Sequence, residues 1–157
     1  MRLFYFSALF WFIADQLSKY LVLHWAGLIE HGVIEVVPPF LVFRLGYNTG
    51  INFGLMAGGP ELTRWILIGI AFAISAWLWW WAKTGLTRGI ALISAGAVIG
   101  GAFGNALDRL LQGAVVDFLN MSCCGIQNPF AFNVADVGIV VGALGLLIFA
   151  DGAKKES

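Results

Sequence analysis

The chain has 157 residues, 60% of them hydrophobic and 11% charged, with nine basic and nine acidic residues and a formal net charge of zero. Soluble domains run nearer ~45–50% apolar and ~25% charged, so the excess apolar surface calls for a lipid partner. The balanced charge offers none of the basic excess that a nucleic-acid binder needs.

A spanning helix takes roughly 20 mostly apolar residues, and four segments fit that description. The first covers about 3–25. Its apolar run outlasts the ~7–15-residue core of a secretory signal, without a convincing small-residue cleavage site, so it reads as a retained span. Next, about 29–60, comes a stretch of β-formers. Val33, Ile34, Val36, Val37, Leu41, Val42 and Phe43 are interrupted by Pro38-Pro39 and Gly46, which predicts a small strand-rich flap on the membrane surface.

The second span, about 62–82, ends in Trp77, Trp79, Trp80 and Trp81, residues suited to a membrane–water interface. The third covers about 89–108. The fourth has only 14 uninterrupted apolar residues, Val137 to Ala150, too few to cross alone. It must begin near Phe132 or Asn133, giving a helix over about 133–150 with Asp136 in its first turn. The expected fold is an all-α membrane protein, a single domain over 1–157. It has four transmembrane helices and a β-rich flap between the first two.

Arg2, Lys83, Arg88, Lys154 and Lys155 lie at the two termini and in the loop between spans 2 and 3. Four spans put these places on one side, which the positive-inside rule makes cytoplasmic. The flap and the segment from Gln112 to Ala131 then share the outer side.

Several polar residues stand out against this background. Asp15 and Lys19 are four apart in span 1 and share a face. Ionisable groups in a span face a bundle interior or a wet cavity, so the two form either an internal ion pair or part of a site. In span 3, Gly96, Gly100 and Gly104 lead to Asp108, and Gly101, Asn105 and Arg109 form a parallel stripe. The glycines allow close helix approach. Asn105 and Arg109 either cap the helix end or hold a substrate backbone, for which amide and guanidinium are suited.

Asp117 sits in Val115-Val116-Asp117-Phe118, poorly solvated unless it faces a cavity. Asp136 follows Asn133 at the spacing of a capping box, which is its purely structural reading. The two aspartates flank one outer loop, which can fold back and bring them face to face. Paired carboxyls share a proton. One can then accept a proton from water while the other donates to a peptide carbonyl, which is hydrolysis without a covalent intermediate.

Other chemistries find little footing. The only histidines are His24 and His31, with no His-Glu-x-x-His motif and no Gly-x-Ser-x-Gly serine. Cys123 and Cys124 are adjacent, which is neither a metal-ligand nor a Cys-x-x-Cys redox spacing, and neighbours rarely bridge to each other without strained geometry. A proton- or ion-coupled carrier is the alternative from another class, but it predicts acids spread through the bundle, whereas Asp108, Asp117 and Asp136 gather at one side.

Five motifs in order resemble the bacterial lipoprotein signal peptidases (signal peptidase II). They are Ala14-Asp15-Gln16-Leu17-Ser18-Lys19; Asn48-Thr49-Gly50-Ile51-Asn52-Phe53; Gly101 through Arg109; Val115-Val116-Asp117-Phe118; and Phe132-Asn133-Val134-Ala135-Asp136. The resemblance implies an aspartic endopeptidase of the bacterial inner membrane. Such an enzyme cuts prolipoproteins before a diacylglyceryl-modified cysteine, near the periplasmic face, and is inhibited by globomycin-type peptides. It implies Asp117 and Asp136 as catalytic residues, with Asp15, Lys19, Asn48, Gly101, Asn105, Arg109 and Asn133 around them, and no metal or cofactor. Asn52, where the family usually has a small apolar residue, and the Cys-Cys loop from Asn120 to Phe130 depart from the pattern.

Overall fold

The computed structural model describes residues 1–50 and 59–150. Ile51, Asn52 and Phe53 of the second motif, and Lys154 and Lys155, lie outside the described residues.

Helix α1, Arg2–Tyr20, contains neither glycine nor proline and continues into a π-helical turn, Leu21–Trp25. There the Ala26 N–H reaches the Leu21 carbonyl at 2.8 Å. The helix expected over 3–25 is thus α-helical for most of its length and widens over its last turn. Gly27, at φ 74, breaks the run and opens a one-turn helix α2, Leu28–His31. Strands β1, Val33–Val37, and β2, Leu41–Asn48, follow as an antiparallel pair. They give the strand-rich segment expected after the first long helix.

Helix α3 spans Gly59–Thr84 and α4 spans Gly89–Gln112, each slightly longer than its apolar run. Arg109 and its neighbours therefore lie within the last turns of α4, which Gly113 ends at φ 80. Strand β3, Val115–Asn120, pairs antiparallel with β2, giving a three-stranded sheet in the order β1-β2-β3. This third strand was not evident from the apolar pattern, because Val115 to Leu119 reads equally as the start of an outer loop. Helix α5, Val134–Phe149, begins one residue after Asn133.

Among the described residues, α3 and α4 are long and apolar enough to cross a bilayer, and α5 is apolar but shorter. Helix α4 is the axis of the molecule, packed against α1, α3 and α5. Its glycines explain why. A methyl group at Gly96 or Gly100 would overlap backbone carbonyls of α1, at Phe4 and Ala8. One at Gly101 would overlap the Ala135 carbonyl of α5. Bare glycine faces let these backbones approach closely, as small residues do in membrane helix pairs.

One apolar cluster, with Phe4, Leu78, Ala82, Leu86, Ala95 and Leu146, fills the bundle at the end where α1 begins. A second, with Leu23, Leu28, Val116 and Phe118, seats the sheet on the far end of α1. The outward faces of the helices stay apolar, with Phe6, Phe10, Phe72, Trp77, Trp80 and Leu147 all exposed. A monomer in water rarely exposes so much continuous apolar surface.

Candidate active site

Five elements bring polar groups to the sheet end of the bundle. Strand β3 carries Asp117, and the start of α5 carries Asn133 and Asp136. The end of α4 carries Asn105, Asp108 and Arg109. The end of α1 supplies Asp15, Gln16 and Lys19, and the last residue of β2 is Asn48.

Strand pairing aims Asp117. Its partner across the ladder is Gly46, and Asn48 stands two residues along on the same face. The alternate residues Val116 and Phe118 are buried in the apolar cluster. Strand alternation therefore turns Asp117 the other way. Asn48 Nδ2 donates to Asp117 Oδ2 at 3.1 Å, while its own Oδ1 takes the Gly50 N–H at 2.9 Å.

Asn133 is fully buried and holds both aspartates. It is the N-cap of α5, in extended conformation at φ −133. Its Oδ1 accepts the Asp136 N–H at 3.0 Å, and its own N–H donates to Asp136 Oδ2 at 3.2 Å. This is a capping box, as the spacing predicted. The other end of the same amide faces the strand. Nδ2 donates to Asp117 Oδ1 at 2.7 Å, to Asn105 Oδ1 at 3.1 Å and to the Val116 carbonyl at 3.3 Å. Asn105 closes the circuit by donating from Nδ2 to Asp136 Oδ1 at 2.9 Å. The cap geometry and the juxtaposition of the acids are one arrangement, so the two readings of Asp136 are not rivals.

Asp117 is only 5% exposed. Burial pushes its pKa up to about 6, and the neighbouring Asp136 charge pushes the same way. The hydrogen bonds from Asn48 and Asn133 and the charge of Lys19 oppose the rise. Burial and a like charge both favour a protonated carboxyl. Asp136 is more open and edges an apolar groove of about 310 Å³ formed with Phe132, Val137, Val140 and Val141.

Beneath this layer lies a buried charge cluster. Lys19 Nζ is 2.7 Å from Asp15 Oδ2 and 2.7 Å from Asp108 Oδ2. Asp15 Oδ1 accepts the Ala135 N–H at 2.9 Å, in the first turn of α5. Asp108 Oδ2 accepts the Val116 N–H at 3.1 Å, next to Asp117. Gln16 Nε2 joins both acids, at 3.0 Å to each. Asp15 thus pairs with Lys19 rather than reaching Arg109, and the cluster ties the helix of Asp136 to the strand of Asp117.

Asp108 and Gln16 lay in the sequence motifs without being read as site residues. The available signal was that Asp108 follows Gly104 by one turn, on the stripe facing α1. Arg109 Nη1 donates to the Asn105 carbonyl at 3.3 Å, and its buried Nε has no hydrogen-bond partner among the described residues. Gly101 brings no side chain to the site, but its bare Cα lets the start of α5 lie against α4.

The family model described as Signal peptidase (SPase) II matches residues 7–150. The chain belongs to the signal peptidase II family. It is 44% identical over 139 residues to the lipoprotein signal peptidase of Rhodopseudomonas palustris, covering 86% of this chain and 83% of that one. It is 38% identical over 136 residues to the lipoprotein signal peptidase of a Methylobacterium species, covering 87% and 81%. Among solved structures, a bacterial membrane enzyme determined by the in meso method at 1.9 Å superposes with a TM-score of 0.78. That match has 27% identity and covers 95% of this chain and 92% of the other. Signal peptidase II is a peptidase family, and this chain is a peptidase of that family.

Proposed function

We propose that this chain removes signal peptides from diacylglyceryl-modified bacterial prolipoproteins, with Asp117 and Asp136 as the catalytic pair. The observation that carries the assignment is Asn133, whose side-chain Nδ2 donates to Asp117 Oδ1 while its backbone N–H donates to Asp136 Oδ2. Aspartic hydrolysis needs one carboxyl of the pair protonated and the other ionised. The ionised carboxylate takes a proton from a water molecule. The water oxygen bonds to the scissile carbonyl carbon, and the protonated carboxyl donates to the carbonyl oxygen. Collapse of the tetrahedral species, with proton transfer to the departing amine, breaks the C–N bond.

The pKa of Asp117, raised by burial and by the Asp136 charge to about 6, favours its protonated form more than an ordinary carboxyl's would. The apolar groove beside Asp136 gives the greasy stretch of a signal peptide a place next to the pair. Arg109, half-buried in the last turn of α4 beside Asn105, brings guanidinium donors near the pair that can take substrate carbonyl groups.

In this reading α1, α3, α4 and α5 are four transmembrane helices of a single domain in the inner membrane. The termini are cytoplasmic, and the sheet with the polar layer is periplasmic. The basic residues at the α3–α4 turn support that orientation. A lipidated cysteine held at the outer membrane surface would reach the pair from the bilayer, and globomycin-type peptides would occupy the same place.

The test is purified enzyme on a diacylglyceryl-modified prolipoprotein, compared with the unlipidated form. Asp117→Asn and Asp136→Asn are each expected to abolish cleavage while preserving the folded protein. Turnover by either variant at the wild-type rate would overturn the pair. Equal cleavage of the unlipidated form would overturn the substrate class alone.

A further inference from the structure

The peptidase reading makes no use of Cys123 and Cys124, which lie at the tip of the connection from β3 to α5. Both are exposed. The Ile126 N–H reaches the Cys123 carbonyl at 2.9 Å, closing a tight turn with Cys124 and Gly125 at its centre. Both central residues have positive φ, 60 for Cys124 and 80 for Gly125, and Cys124 is the one such non-glycine residue among those described. Turns of this shape favour Asn-Gly or Gly-Gly, because a side chain at positive φ is strained.

The strained backbone has a consequence for the sulfurs. It puts both side chains on one side of the turn, with Cys123 Sγ and Cys124 Sγ 2.8 Å apart. No other side chain contends for them among the described hydrogen bonds. Groups of three or more metal-ligating side chains are also absent among the described residues, so the pair does not complete a closed metal site. Adjacent thiols in contact at an exposed turn are instead set up to bond to each other.

We propose that Cys123 and Cys124 form a dithiol site that closes reversibly into a vicinal disulfide by exchange with an external small-molecule or protein disulfide. The thiolate of one cysteine attacks the external disulfide, forming a mixed disulfide and releasing one thiolate. The neighbouring cysteine, deprotonated, then attacks the protein sulfur of that bond and releases the second. The two protein thiols lose two electrons and two protons, and the external disulfide becomes two thiols.

The ring joins neighbouring Cα atoms about 3.8 Å apart, closer than the ~4.4–6.8 Å usual across a disulfide. Such a bond is easily reopened, as strained and exposed disulfides are.

The rest of the connection is held independently. Asn120 Nδ2 donates to the carbonyls of Asn128 and Phe130, both at 2.8 Å. Leu119 pairs with Phe132. Closure of the tip therefore leaves the ends of the connection clamped.

The experiment treats the full-length protein in detergent with oxidised glutathione, quenches with an alkylating agent, and reads the peptide bearing both cysteines by mass spectrometry. The expected product has lost two hydrogens, takes up no alkylating agent, and recovers both alkylation sites after mild thiol treatment. Cys123→Ser and Cys124→Ser are each expected to stop at the mixed disulfide with glutathione. A wild-type product that stops at the mixed disulfide, becomes an intermolecular dimer or stays fully alkylated would overturn the proposal. The readout is independent of peptidase activity, so its failure leaves the proposed function untouched.

Discussion

Asn133 Nδ2 lies 2.7 Å from Asp117 Oδ1, while Oδ1 of the same side chain holds the Asp136 N–H at 3.0 Å. One buried amide therefore performs two separable tasks, capping α5 and spacing the carboxylates.

Substitution can separate those tasks. Asn133→Ser keeps a capping oxygen but loses the Nδ2 donor. Asn133→Ala loses both, and loss of a cap costs about 1 kcal/mol. Thermal unfolding in detergent is expected to rank wild type above Ser above Ala. The cleavage rate is expected to fall at least tenfold in both. A serine variant with wild-type turnover would make the contact with Asp117 dispensable.

The raised pKa of Asp117 fixes a sign for pH dependence. Its folded-state value of about 6 lies above the ordinary 3.8, so the folded state binds the proton more tightly than the unfolded state. The associated stability is fully present below about 4 and is lost as the pH rises through about 6. The stability difference between wild type and Asp117→Asn, followed from pH 4 to 7, is expected to show that loss. Asn48→Ala removes a hydrogen bond that lowers the pKa and should move the midpoint up. Asp136→Asn removes a charge that raises it and should move the midpoint down.

Lys19 lies between Asp15 and Asp108, all three at most 4% exposed. Lys19→Met leaves two buried carboxylates without their cation, and breaking a buried pair costs about 3–5 kcal/mol. Asp108→Asn leaves Lys19 paired with Asp15 and should cost less. Unfolding measurements on the single and double variants check the order. The Lys19→Met/Asp108→Asn double variant is expected to be more stable than Lys19→Met alone.

Gly101→Ala tests the approach of α5 to α4. The added methyl would meet the Ala135 carbonyl oxygen, with Ile139 Cγ1 at 2.9 Å. Overpacking of this kind costs about 1–3 kcal/mol, and the displaced segment begins one residue before Asp136. A lowered melting temperature together with reduced cleavage is expected. Gly69→Ala, with nothing within 4 Å of the added atom, is the matched control and should leave both unchanged.

Much of the helical frame was legible because apolar runs report on lipid-facing helices directly. The length of the last run even placed Asp136 in the first turn of α5, with Asn133 as its cap. Strand β3 was less legible. A six-residue strand at a loop entrance has too little pattern to reveal that it pairs with β2, or that Asp117 meets Asn48, 69 positions away in sequence. The same distance effect hid Asp108 and Gln16, whose roles depend on Val116 and Lys19 being brought together by folding. The ambiguity over Asp15 had another source. Spacing of four showed that Lys19 was within reach, but only packing shows that the other carboxylate oxygen turns to Ala135.

The bond from Asp15 to the Ala135 N–H spans 120 positions of sequence. A ribosome making this chain reaches Asn133 and Asp136 after every other residue of the polar layer. Until α5 enters the bundle, Asp117 lacks the Asn133 donor and its fellow acid. Under the proposed mechanism, a nascent chain is inert as a protease for most of its synthesis and gains its chemistry as its final described helix docks.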